Sequence, residues 1–214
     1  MSNKYVKKFF EQVDAPTYRD ELNYFTMQCR LDVLKPHLHG LVLDVGFGPG
    51  KYHFKHKSFQ VIALDISSNM LREAKKANPH MVFVVGDAQH LPFKEGIFNT
   101  LFSLEVIYYL SKPKLFISEA YRVLKAGGHC MIISINKIWD FIVTVVLRPF
   151  GLCPKEDISR HFISPKNILS WLKEATFSQS FIKSVCYLPH PLFNRLFAFL
   201  PPHFSFVLAF VGQK

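Results

Sequence analysis

Residues 41–50, LVLDVGFGPG, constrain this chain more than any other stretch. They pass from an apolar run through an acid, Asp44, into glycines at every second position: Gly46, Gly48 and Gly50. Leu41, Val42 and Leu43 suit a strand buried on both faces of a parallel sheet. Glycines let the backbone turn sharply and approach a ligand with no Cβ in the way. Downstream, residues 61–64 form a second apolar run that ends in Asp65. Strand, glycine turn, helix, strand and acid follow one another in nucleoside-binding βαβ units, where the acid at the second strand tip accepts hydrogen bonds from ribose hydroxyls. The plainer alternative for such a motif alone is a turn that joins strand to helix.

The residue types also discriminate between nucleosides. A dinucleotide fingerprint, G-x-G-x-x-G, aims a helix N-terminus at a pyrophosphate. Here the third glycine arrives one residue early, and Asp44 stands two residues before the first. A carboxylate there repels a pyrophosphate and attracts an ammonium group. S-adenosylmethionine carries an amino-acid end and a sulfonium but no phosphate, so the pattern favours it over a nicotinamide cofactor.

Further elements follow in order. Ser67 or Ser68 is a plausible N-cap for a helix whose apolar face is Met70, Leu71, Ala74 and Ala77. Residues 81–85 form an apolar run closed by Gly86-Asp87-Ala88-Gln89-His90-Leu91-Pro92-Phe93. Residues 98–107, FNTLFSLEVI, read as a fourth strand. A helix is expected to stop on Gly127-Gly128, with a fifth strand over residues 130–135.

With DVGFGPG, LDISSNML, GDAQHLPF and RVLKAGG in this order and spacing, the chain resembles the class I S-adenosylmethionine-dependent methyltransferases. It looks most like the small-molecule and quinone-biosynthesis (type 11) branch, over residues 42–135. That resemblance implies a Rossmann-like, doubly wound α/β fold. Its sheet would have seven strands, mostly parallel with an antiparallel C-terminal strand. It implies S-adenosyl-L-methionine as cofactor. Asp44, Gly46, Gly48 and Gly50 would hold its methionine end, with the Leu104 carbonyl near the amino group. Asp65 would take both ribose hydroxyls, and Ile66 and Met70 would pack on the adenine. Asp87 would accept from the adenine amino group while the Ala88 amide donates to the ring. Met70 and Leu104 also fit as plain core residues. Asp65 and Asp87 end apolar strands, and a buried carboxylate needs a ligand, water or protein partner. The chain departs from the family at Asn99, at Tyr108-Tyr109 in place of a histidine pair, and at Lys51.

A length of 214 residues with 49% hydrophobic content suits one domain. That domain divides into a helical cap (1–40), a cofactor-binding core (41–135) and two apolar acceptor-side inserts (136–163 and 188–204). In the cap, Tyr18 is a candidate lid over the cofactor, as the resemblance implies, or a packing tyrosine. The four cysteines, Cys29, Cys130, Cys153 and Cys186, form neither a CxxC pair nor a zinc pattern. They suit a reducing cytosol. The ten histidines lack ligand spacing, so no metal is expected. No secretory signal or transmembrane run is visible, and a cytoplasmic protein is expected.

The net charge of +10 has two readings: solvated faces, or attraction to an anionic partner. Combined with Ile138, Trp139, Phe141 and Phe150 in the first insert and LPHPLFNRLFAFLPPHF in the second, it points to an apolar small-molecule acceptor. Arg148, Arg160, Lys183 and Arg195 beside aromatic residues would suit peripheral contact with an anionic membrane. The plain alternative is that the inserts pack on each other.

Methyl transfer from a sulfonium is an in-line displacement in which alignment does most of the work. A general base is needed only when the nucleophile must lose a proton. His161, just before the Ser164-Pro165 helix start, and Tyr108 are the candidates put forward; Glu105, Tyr109, His190 and His203 are others. An RNA or protein methyltransferase using the basic surface is a rival reading. It lacks an NPPY or DPPY signature after the fourth strand, where the chain reads SLEVIYYL, so nucleic acid is disfavoured. A catalytically silent cofactor-binding module is a third, and intact Asp44, Gly46, Gly48, Asp65 and Asp87 argue against it.

Overall fold

A computed structural model of the protein describes residues 3–15, 24–50, 58–141, 161, 163–187, 195 and 200–214. In chain order these form α1 (Asn3–Gln12), α2 (Tyr24–Leu34), β1 (Gly40–Val45), β2 (Phe59–Asp65), α3 (Ser68–Ala77), β3 (Val82–Val85) and β4 (Phe98–Leu104). Then come α4 (Pro113–Val123), β5 (Leu124–Ile135), α5 (Lys137–Phe141), α6 (Pro165–Glu174), β6 (Ser178–Cys186) and β7 (Val207–Gln213). The strands build a seven-stranded sheet in the order β3-β2-β1-β4-β5-β7-β6. Strands β1 to β5 pair in parallel, whereas β7 runs antiparallel to both β5 and β6. The expected doubly wound α/β sheet is therefore present.

Side-chain alternation along the strands divides the core into two layers. Leu43, Val45, Leu101, Ile132 and Phe210 face Phe116 and Ile117 of α4 and Ile168 and Leu172 of α6. Val42, Ala63, Phe102, Met131 and Ala209 face Val33 and Leu34 of α2 and Leu71 and Ala74 of α3. Burial on both faces explains why β1 reads as a continuous apolar run. From β1 the chain winds outward to β3, then crosses back to β4 on the other side. Order therefore reverses between β1 and β4, and a crevice opens above their carboxyl ends.

Several boundaries differ from the expectation. The helix expected to stop on Gly127-Gly128 ends at Val123, because Leu124 is extended and already pairs with Phe98 of β4. The glycines instead form a corner inside β5, where the register passes from Phe98↔Leu124 to Thr100↔His129. Gly127 has φ +76°, and a Cβ on Gly128 would lie 3.0 Å from the Lys125 carbonyl. The fourth strand stops at Leu104 rather than residue 107, because Glu105 turns left-handed (φ +59°) and residues 107–109 wind into a 3₁₀ turn. Ahead of β7, Pro202–Phe204 wind into a 3₁₀ turn. Of the N-cap candidates, Ser67 caps α3, accepting from the Met70 amide at 3.2 Å. Asn99 accepts from the Leu41 amide at 3.1 Å and from Lys125 Nζ at 3.0 Å, so it stitches β1 to β4. Tyr18, Lys51, Arg148, Arg160, His190 and the side chain of His203 lie outside the described residues, as do most of the two inserts.

Candidate functional site

At the β1 tip the chain must reverse within a few residues while staying close to β2. Gly46 does this at φ +81°, and a Cβ there would come within 2.2 Å of Val106 Cγ2. The Gly46 and Phe47 amides both donate to the Leu64 carbonyl, at 2.7 and 3.1 Å, locking the turn to the end of β2. Gly50 lets the chain pass α3 so closely that a Cβ would sit 3.0 Å from Ala74 Cα. Both demands exclude a side chain.

The acid at the β2 tip is held from two sides. Asp65 Oδ2 accepts from the Gly48 amide at 2.8 Å, and Oδ1 accepts from the Ser67 amide at 2.9 Å. Beyond β3, Asp87 Oδ1 accepts from the Gln89 amide at 2.9 Å and from Gln89 Nε2 at 3.2 Å. Its Oδ2 accepts from Asn3 Nδ2, which α1 carries across the opening.

These groups surround one cavity above the switch point. Its walls include Gly46, Gly48, Asp65, Ile66, Met70, Asp87, Ala88 and Leu104. Asp44 is fully buried at the end of β1, one residue behind the wall at Val45. Ile66, Met70 and Leu104 give the wall its apolar part, joined by Val6 and Phe10 of α1.

The fourth strand contributes a network that the sequence does not announce. Glu105 lines the cavity, and its Oε1 accepts from Arg30 Nη2 at 2.6 Å and Nε at 3.1 Å. Its Oε2 accepts from the Ile135 amide at 2.9 Å and the Tyr108 hydroxyl at 3.1 Å. Tyr108 is thus buried behind the wall, while Tyr109 reaches the cavity. His161 is exposed; its amide donates to the Tyr108 carbonyl at 2.9 Å, and its side chain is not part of the wall. Asn3 and Arg30 were missed because nothing near them in sequence marks them. Val6 and Phe10, four apart on α1, carry the one local signal that could have revealed the roof.

A methyltransferase-domain family profile matches residues 43–132. An uncharacterised protein of Methanocaldococcus jannaschii is 30% identical over 172 residues, covering 79% of each chain. The malonyl-[acyl-carrier protein] O-methyltransferase of Hamiltonella defensa is 29% identical over 116 residues, 53% of this chain and 43% of the relative's length. A solved S-adenosylmethionine-dependent methyltransferase of Thermotoga maritima superposes with a TM-score of 0.74 at 20% identity, covering 97% of this chain and 99% of that one. The chain belongs to the class I S-adenosylmethionine-dependent methyltransferases, in the type 11 branch. It is a methyltransferase, and its cofactor is S-adenosylmethionine. The cavity fits that donor: it combines acceptor-only carboxylates at two strand tips, an apolar wall from Ile66, Met70 and Leu104, and a turn at Gly46 that has no room for a Cβ. Among the described residues of this methyltransferase, no helix is long and apolar enough to cross a membrane, and no cluster of three or more His, Cys, Asp or Glu could hold a metal.

Proposed function

We propose that the protein methylates a small apolar acceptor presented beside the carboxyl ends of β4 and β5. The observation that carries this reading is a greasy surface at that end of the sheet. Ile138 and Phe141 of α5 are 58% and 49% exposed, and Phe204, which precedes β7, is 51% exposed. Trp139 ties the two segments, donating from Nε1 to the Phe204 carbonyl at 3.1 Å. Exposed apolar patches of this kind mark ligand or interface sites. The +10 charge supports peripheral contact of the same end with an anionic membrane.

On this reading residues 1–214 work as one methyltransferase domain. Asp65 takes the ribose hydroxyls, and Asp87 with Ala88 reads the adenine between Ile66 and Met70. Asp44, the glycines and the Leu104 carbonyl hold the methionine end. The bound sulfonium supplies an activated methyl group, so the protein's task is alignment and exclusion of water. For an oxygen acceptor that must lose a proton, Glu105 and Tyr109 line the cavity, whereas Tyr108 lies behind its wall and the His161 side chain is not part of it.

The test is transfer of labelled methyl from S-adenosylmethionine to a panel of quinone precursors and lipid-linked compounds, with tRNA and protein alongside. Label in the organic-soluble fraction is expected. Label in RNA or protein instead, with a steep salt dependence for RNA, would replace this reading. Flotation with anionic vesicles at low salt addresses the membrane contact, which absence of binding would remove. Asp65→Ala should weaken S-adenosylhomocysteine binding by about a hundredfold in calorimetry, since two hydrogen bonds to a charged group are lost.

A further inference from the structure

Helix α1 is fastened at both ends and crosses the cavity between its fastenings. At its carboxyl end Glu11 accepts from the Ser68 amide at 2.8 Å and the Asn69 amide at 3.2 Å. Asn69 Nδ2 donates to the Val13 carbonyl at 3.0 Å, and Ser67 Oγ donates to the Phe10 carbonyl at 3.1 Å. At its amino end Asn3 makes an attachment. Asn3 Nδ2 donates to Asp87 Oδ2, and Ser111 Oγ donates to Asn3 Oδ1 at 2.7 Å. Between these points Val6 and Phe10 face the cavity, and Phe10 packs edge-on against Tyr109 with ring centroids 5.4 Å apart.

A carboxylate only accepts, so whatever meets Asp87 from the cavity must donate. Its Oδ1 already holds both donors of Gln89, and its Oδ2 holds the Asn3 amide. Asn3 and Asp87 both line the cavity, so an adenine amino group that approaches Oδ2 from the cavity meets the Asn3 amide already on that side of it. We propose that Asn3 is a latch: its carboxamide holds α1 shut across the crevice by occupying the Asp87 oxygen that the adenine 6-amino group claims. Binding exchanges one N–H donor for another and frees the amino end of α1, which pivots on the Glu11 fastening. The proposal rests on the assignment of Asp87 to adenine made above.

The latch predicts that weakening a contact made in the free protein strengthens binding. Asn3→Ala removes the competing donor, and Ser111→Ala, a change outside α1, removes the hydroxyl that holds Asn3 Oδ1 and also contacts Gln89 Oε1. Both should bind S-adenosylhomocysteine about three- to tenfold more tightly than the unaltered protein in calorimetry, with faster association in stopped flow. An analogue carrying purine in place of adenine has no amino group to compete, so its affinity should be the same for all three proteins. In hydrogen exchange, adding S-adenosylhomocysteine to the unaltered protein should speed exchange at the amides of residues 7–9, whose acceptors are first-turn carbonyls of α1, while residues 10–13 stay protected. Equal or weaker binding by both variants, or the same gain with the purine analogue, overturns the latch. If the unaltered protein binds neither ligand at millimolar concentration, the cofactor site itself is wrongly placed and the latch falls with it.

Discussion

Glu105 concentrates the tension between fold and site. Its φ of +59° places a non-glycine residue in the left-handed region, which costs about 1–2 kcal/mol. The conformation persists because its amide still donates to the Ile133 carbonyl at 2.8 Å while its carboxylate gathers Arg30, Tyr108 and the Ile135 amide. The Arg30 side chain is only 7% exposed, and among the described residues its ion pair is with this carboxylate. Glu105→Gln should lower stability by about 3 kcal/mol in denaturant titrations, because a buried guanidinium loses its counter-charge. Combining it with Arg30→Met should cost less than the sum of the single changes. Gly46→Ala belongs at the same scale. With a Cβ 2.2 Å from Val106 and a left-handed φ, it should abolish S-adenosylhomocysteine binding in calorimetry even where the variant folds.

Among the elements, the packing of α1 against α3 joins roof to sheet. Partial burial pushes the Glu11 carboxyl up, but the Ser68 and Asn69 amides outweigh it and hold the group below the usual carboxylate range. A carboxyl depressed on folding adds stability above its unfolded value, and that increment is lost as pH falls through the folded value. Denaturant midpoints followed downward from pH 7 should show the unaltered protein losing this increment in the acid range, below about pH 4. Glu11→Gln should lack it throughout, with a cost near 0.5 kcal/mol at pH 7, small because solvent screens the contact. The elements themselves were largely legible from periodicity and caps, α3 and its Ser67 cap above all. The Gly127-Gly128 corner was not, because a glycine pair ends a helix or turns a strand equally well, and pairing of Leu124 with Phe98 decided between them.

Across the whole molecule, three imidazoles converge at the end of the sheet opposite the cavity. His37 follows α2, His39 precedes β1 and His129 lies in β5; ring centroids are 5.1 Å apart for His37 and His129, and 6.2 Å for His39 and His129. Burial lowers the His37 pKa, helped by His129, Lys183 and His39, and burial with His39 lowers that of His129. The neutral forms of His37 and His129 are thus favoured in the folded protein, so their contribution to stability is full above the ordinary imidazole value of about 6.5 and falls as pH drops below it. Melting temperature should decline from pH 7.5 to 5.5, and His129→Gln should flatten that decline. An unchanged slope would mean that other groups carry the acid sensitivity.

Contiguous residues by themselves determined the βαβ plan, the glycine collar, the acidic strand tips and the class of cofactor. Backbone turns and buried strands are demands met within a few neighbouring positions, and periodicity records them. Only the tertiary structure decided that Asn3 meets Asp87, that Arg30 neutralises Glu105 and that α1 roofs the cavity. The first two pairs are 84 and 75 residues apart in the chain. Polar contacts at such separations arise from how layers pack, and they leave no periodic trace in the sequence.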